Sequence, residues 1–149
     1  MRQTDTGKRT PSNVFSEAEQ PAFVAIDGEF DQHDKRNVLS KISVVDHEGC
    51  ILLDTLVNPG VSIDYSCQRI HGIDKEWLLD APSIEDVQAY ICSRFANSVF
   101  VGHGIVADLK VLNLPVAVRY TDTQWFEEFD LPENHLGVRG NKKKLKDMV

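Results

Sequence analysis

Asp27, Gly28 and Glu29 follow directly on a short apolar run, Ala22 to Ile26. If that run is a strand, residues two apart project to the same face, and both carboxylates leave the strand's end together. Two anions so close repel unless a cation lies between them. Magnesium and manganese, hard ions that take oxygen ligands, suit that place. The alternative is a solvent-exposed acidic turn, because Asp-x-Glu is a common spacing. Its position after the most apolar strand separates this pair from such a turn. A second feature is Gly102-His103-Gly104-Ile105-Val106-Ala107-Asp108. A glycine after a short strand and a helix starting near Ile105 place Asp108 in the helix's first turn. There the dipole favours its charge and it can face the strand-end carboxylates. Taken alone, an early helical aspartate is usually a capping or solubility residue.

The elements that must position these groups are legible from pattern. Ala22 to Ile26 reads as a strand buried on both faces. Val38 to Asp46 is a second strand, His47-Glu48-Gly49 a hairpin turn, and Cys50 to Val57 a third strand stopped by Asn58-Pro59-Gly60. A helix follows, with Ser83 as N-cap, Asp86 in the capping-box position, and Ile84, Val87, Ala89, Ile91, Cys92 and Phe95 at roughly helical spacing. Ser98 to Val101 is a fourth strand, Ile105 to Leu112 a helix ended by Pro115, and Val116 to Tyr120 a fifth strand. Residues 130–141 read as loop, and Lys142 to Val149 begins a helix. A meander followed by alternating helix and strand favours an α/β domain with a mixed sheet.

Bulk properties agree. The 149 residues, 42% hydrophobic and 26% charged, fit one globular domain, expected to span 21–149 after a disordered lead-in over 1–20. No apolar run approaches the ~20 residues of a membrane span. Cys50, Cys67 and Cys92 form no zinc-type spacing and read as reduced thiols of an intracellular protein. The net charge of −7 counts against a module that grips duplex through phosphates alone. It counts less against a site whose carboxylates are offset by bound cations. Lys142, Lys143, Lys144 and Lys146 form a short basic run, ordinarily a solvated helix face. Trp77 and Trp125 read as core or interface anchors.

Together the motifs resemble the DEDDh exonuclease superfamily of ribonuclease H-like proteins, and within it the RNA exonuclease 4-like branch. Asp27-Gly28-Glu29-Phe30 resembles that branch's Asp-Cys-Glu-Met. Asp64-Tyr65 lies where the branch has its own Asp-Tyr. Asn58-Pro59 followed by His71-Gly72-Ile73 fits between the motifs. Val101-Gly102-His103 through Asp108-Leu109-Lys110-Val111-Leu112 looks like its second motif, and Asp122-Thr123 like the Asp-Thr after its fifth strand. The resemblance implies a ribonuclease H-like mixed five-stranded sheet flanked by helices, with the C-terminal helical part incomplete. It implies 3′→5′ hydrolysis of single-stranded RNA, with DNA a further substrate, using two Mg2+ or Mn2+ ions. Asp27 would bridge both ions, Glu29 would bind the nucleophile-side ion, and Asp108 would support the other. Phe30, His71 and His103 would contact substrate, Phe30 by stacking on the terminal base; Phe30 reads equally as a rim core residue, and His71 more readily as a structural loop histidine. A nuclear or nucleolar site goes with the branch.

One departure stands out. The family completes its site with a later His-x4-Asp, and here that spacing occurs only from His103 to Asp108, already inside the second motif. The general base is therefore unassigned. The expectation for these 149 residues is a truncated or inactive exonuclease, losing about 10²- to 10⁴-fold for the base alone. The rival is a nucleic-acid- or partner-binding relative without turnover. A metal-binding structural domain is a third reading.

Overall fold

In a computed structural model, residues 20–114 and 118–126 are described. The expected lead-in over 1–20, apart from Gln20, the loop from 130 to 141 and the helix from Lys142 to Val149 lie outside them. Five strands form one mixed sheet: β1 (Phe23–His33), β2 (Arg36–Val45), β3 (Ile51–Leu56), β4 (Val99–Gly102) and β5 (Tyr120–Asp122). Their order is β3-β2-β1-β4-β5. The meander pairs antiparallel, while β1–β4 and β4–β5 are parallel. β1 is therefore central, with the meander on one side and β4 on the other. Three helices join the strands: α1 (Gln68–His71), α2 (Ile84–Arg94) and α3 (Val106–Val111), with a 3-10 segment at Lys75–Asp80. None of the described helices is long and apolar enough to cross a membrane.

α2 forms where expected. The Ser83 hydroxyl accepts from the Asp86 amide at 3.1 Å, capping one of the orphan N–H groups of the first turn. Val87, Ile91 and Phe95, four apart, make the stripe that enters the core with Val24, Ile26, Leu39, Ile42, Val44, Phe100, Ile105 and Leu112. Ala89 falls off that stripe and is exposed.

β1 differs from expectation in two ways. Only Val24 and Ile26 are buried in its first half, whereas Phe23 and Ala25 are exposed, so one face is covered rather than both. The strand also does not end at Ile26. It runs through the acids to His33 because β2 supplies partners along its whole length, from Ala25↔Val45 to His33↔Arg36. A backbone satisfied by that ladder needs no apolar side chains to stay extended. What ends near Ile26 is the parallel pairing, whose last partners are Ala25↔Val101. Asp27 and Glu29 thus begin where β4 leaves the sheet, the place where ligands enter open α/β sheets.

β5 is the other correction. It occupies Tyr120–Asp122, later than the expected Val116 to Tyr120, of which 116–117 lie outside the described residues; the register with β4 sets Phe100 beside Tyr120 and Gly102 beside Asp122. Trp77 and Trp125 are exposed and, among the described residues, lie outside the core, which leaves the interface reading of them open.

A bulge shapes β2. Glu29 pairs with Lys41 but Phe30 pairs with Leu39, so Ser40 is an extra residue on β2. The bulge resets the alternation and lets Leu39 and Ile42, three apart, both enter the core. The β1–β2 turn is made by Asp34 and Lys35, both with positive φ (47° and 60°), in the hairpin conformation that ordinarily selects Asn-Gly.

Candidate metal centre

α3 starts beside β1 at the point where β4 stops. Gly102 permits this turn: a Cβ there would lie 2.9 Å from Ile105 and 3.1 Å from the Ile26 carbonyl. Gly104 adopts a φ of 71°, a left-handed conformation that suits glycine. Asp122 holds the turn from the neighbouring strand, its Oδ1 accepting from the Gly104 amide at 2.8 Å and the Gln124 amide at 3.0 Å. The Asp-Thr match therefore has a physical role: Asp122 is a buried strut under the loop that carries Asp108.

Asp108 comes to rest against Gly28. A Cβ on Gly28 would lie 2.8 Å from Asp108 Oδ1, 3.0 Å from Leu39 Cδ1 and 3.2 Å from Phe30 Cζ. Asp108 Oδ1 is buried and has no hydrogen-bond partner among the described residues. Burial raises the Asp108 pKa to about 6, and the charges of Asp27 and Asp122 add to it against the pull of the Gly28 and Asp108 peptide groups. Lost hydration also raises Asp27, partly offset by the Gly28 amide. An orphaned carboxylate oxygen beside a second carboxylate is the environment a hard divalent cation relieves. The donor set fits such an ion in kind. The three carboxylates are not yet gathered to one coordination shell: among the described residues, the one trio found with ligand atoms all within 4.8 Å of one another is Asp46, Glu48 and Cys50, at an exposed turn.

The structure places the other expected residues as follows. His103 and Asp27 line a common hollow of about 290 Å³ with Ala25, Val101 and Thr123. The Thr123 hydroxyl donates to the Gly102 carbonyl at 3.2 Å and lies 3.2 Å from His103 Nδ1, so Nδ1 donates to it. Phe30 is half-buried and packs on the core, which leaves part of its ring for a base.

His71 takes the structural alternative, against the substrate contact expected from the resemblance. Its side chain is only 1% exposed, and both ring nitrogens serve the fold. Nδ1 accepts from the Ile73 amide at 3.1 Å, so Nε2 carries the proton toward Asp31 Oδ1 at 3.2 Å. A substrate contact would require breaking that pair. The reason was not visible locally, because Asp31 lies 40 residues away in sequence.

Asp31 itself is a residue that sequence reasoning passed over. It is fully buried and accepts from the Ser40 hydroxyl at 2.5 Å and the Cys67 amide at 2.6 Å as well as from His71. The alternation Asp27, Glu29, Asp31 was the available signal, since all three share one side of a strand that continues. Asp31 fastens the chain after Glu29 to the β2 bulge and to α1.

Gly28→Ala is expected to disturb this site more than the fold. The new methyl must displace Asp108, Leu39 or Phe30, at about 1–3 kcal/mol. Manganese affinity, followed by titration calorimetry, should fall with it. Unchanged affinity would show that Asp108 does not take part.

No protein-family model matches the chain. RNA exonuclease 4 of Cryptococcus neoformans is 30% identical over 138 residues, covering 90% of this chain and 33% of that protein. RNA exonuclease 4 of Mycosarcoma maydis is 30% identical over 120 residues, covering 76% and 32%. The chain thus spans about a third of the length of these curated relatives. Among solved structures, the Saccharomyces cerevisiae Pan2 pseudoubiquitin hydrolase–RNA exonuclease module, in complex with AAGGA RNA, superposes with a TM-score of 0.60 at 23% identity. The superposition covers 83% of this chain and 25% of that one, and it shows a shared fold. With the sheet order, the Asp27-Gly28-Glu29 strand and Asp108 set against it, these likenesses mean that the chain belongs to the DEDDh-type exonuclease superfamily.

Proposed function

We propose that this domain acts on RNA as a 3′→5′ exonuclease, taking the end of a single strand at Asp27, Glu29 and Asp108. The observation that carries the reading is the buried, unpartnered Asp108 oxygen held against Gly28. The names of the relatives and the RNA bound to the Pan2 module support the substrate class. Two divalent ions, Mg2+ or Mn2+, would acidify the attacking water and stabilise the leaving 3′ oxygen. Asp27 and Glu29 would hold them from β1 and Asp108 from α3. The exposed part of Phe30 would meet the terminal base, and His103 would stand in the hollow beside Asp27.

A non-catalytic RNA-holding relative is the second reading. It is favoured by the carboxylates' not lying within 4.8 Å of one another.

One pair of measurements tests both. Manganese titration of the 149-residue chain should show binding that Asp27→Asn weakens about tenfold or more. A 5′-labelled single-stranded RNA should be shortened from its 3′ end, slowly, because the family's separate His-x4-Asp is not among these residues. Asp27→Asn should abolish the shortening. RNA binding without any shortening would select the second reading. Shortening that Asp27→Asn leaves intact would overturn the site.

A further inference from the structure

A groove of about 830 Å³ opens between the β1–β2 turn, α3 and the start of α2. That volume is toward the upper end of ligand sites, which run about 300–1,000 Å³. Lys35, Arg36 and Lys110 line it, and among the described residues no carboxylate does. In a chain of net charge −7 this is a local inversion of sign. All three cations are exposed, and no ion pair among the described residues engages them. The floor is apolar, made by Leu39, Pro59 and Ile84. Leu39 also links the groove to the carboxylates, because its Cδ1 and Asp108 Oδ1 both close on Gly28, 3.0 and 2.8 Å from where a Cβ would lie. Lys110 sits two residues beyond Asp108 on α3. The groove therefore adjoins the candidate metal centre, with Leu39 as the shared wall, on the side of the β1–β2 turn.

We propose that this groove carries the sugar–phosphate backbone of the single strand leading to the carboxylates, an inference that rests on the exonuclease reading. A polyanion is the ligand that three unpaired cations and no acid select. The apolar floor accepts sugars and base edges. With no aromatic ring among the described lining residues, charge rather than base stacking governs the groove, so recognition there is tolerant of sequence and strongly dependent on salt. Lys35 holds its place at a φ of 60°, where glycine is the ordinary choice, so its side chain is kept against a backbone preference.

The test uses the 149-residue chain in chelator, so that nothing is cleaved, with fluorescence anisotropy of a labelled oligouridylate over a range of salt. The triple variant Lys35→Gly/Arg36→Gln/Lys110→Gln should bind on the order of tenfold more weakly at about 50 mM salt. Its log–log salt slope should be shallower by about 2, near 0.7 for each lost phosphate contact on a single strand. Arg69→Gln/Lys75→Gln, which removes two exposed cations elsewhere, should leave both unchanged. Lys35→Gly alone should weaken binding while keeping or raising the melting temperature, which separates lost contact from lost folding. A triple variant with the parent's affinity and slope, or a parent that binds no oligonucleotide, would overturn the proposal. So would polyglutamate competing as well as RNA, which would assign the groove to an acidic protein partner. If the triple variant loses binding while the parent shortens no RNA, the groove stands and the exonuclease reading fails. If Asp27→Asn abolishes shortening while the triple variant binds normally, the groove fails alone.

Discussion

Asp31→Ala is expected to destabilise the fold by about 3–5 kcal/mol, the largest effect of any single change outside the apolar core. The substitution strands three donors at once: the Ser40 hydroxyl, the Cys67 amide and the His71 ring N–H. None has an obvious second partner, since Ser40 is buried and the other His71 nitrogen is committed to Ile73. Urea unfolding at pH 7 measures the loss, and a change below about 1 kcal/mol would refute the role assigned to the network. The effect has a pH signature. Burial pushes the Asp31 pKa up, but hydrogen bonds from Ser40, Cys67 and His71 together with the His71 charge outweigh it, and the net shift is downward from 3.8. A depressed carboxyl pKa stabilises the fold above its unfolded value, and the contribution drains away as pH falls through the folded value. The gap between parent and variant should therefore be full at neutral pH and narrow on acidification below about pH 4.

Asp108→Asn should do the opposite to the metal-free protein and make it more stable. The folded pKa of about 6 lies above the ordinary 3.8, so the fold holds this proton more tightly than the unfolded chain does. The resulting penalty is absent below the unfolded value, grows between the two, and is complete above about 6. Removing the charge should raise stability at pH 7 by on the order of 1–2 kcal/mol, after allowance for solvent screening, and the melting temperature by several degrees. At pH 4 the two proteins should melt nearly together. Manganese reverses the ranking: it should stabilise the parent by mass action and leave the variant little changed, because the orphaned oxygen that the ion would satisfy is gone. Thermal melts at three pH values, with and without manganese, check all of this. An Asp108→Asn variant that melts lower than the parent at pH 7 without metal would show that the carboxylate is a structural acceptor instead. Retention of the full manganese shift would remove Asp108 from the ligand set.

Both effects follow from contacts of different range in sequence, and that range decides what could be read without coordinates. Local chemistry was enough for the Ser83 cap on α2, the turn at Gly49, the alternation of helix and strand after the meander, and the placing of Asp108 early in a helix after Gly102 and Gly104. Each rests on residues within a turn or two of one another, where propensity and periodicity act. The five-strand mixed sheet followed from those elements and their order. The length of β1 did not, because the ladder to β2 extends the strand past its last apolar residue. The β1–β2 turn carried no glycine signal, since Asp34 and Lys35 take the left-handed conformation themselves. β5 moved because its register is set by β4, across the connection through α3. Sequence left His71 between a substrate contact and a structural loop residue, and the fold commits both its nitrogens to Asp31 and Ile73. The sequence by itself therefore determined that Asp27 and Glu29 share a strand and that Asp108 opens a helix. Tertiary structure decided which carboxylates stay open for a cation and which, like Asp31, are closed off as scaffold. The difference is burial with or without hydrogen-bond partners, a property of distant segments packed together that no local spacing encodes.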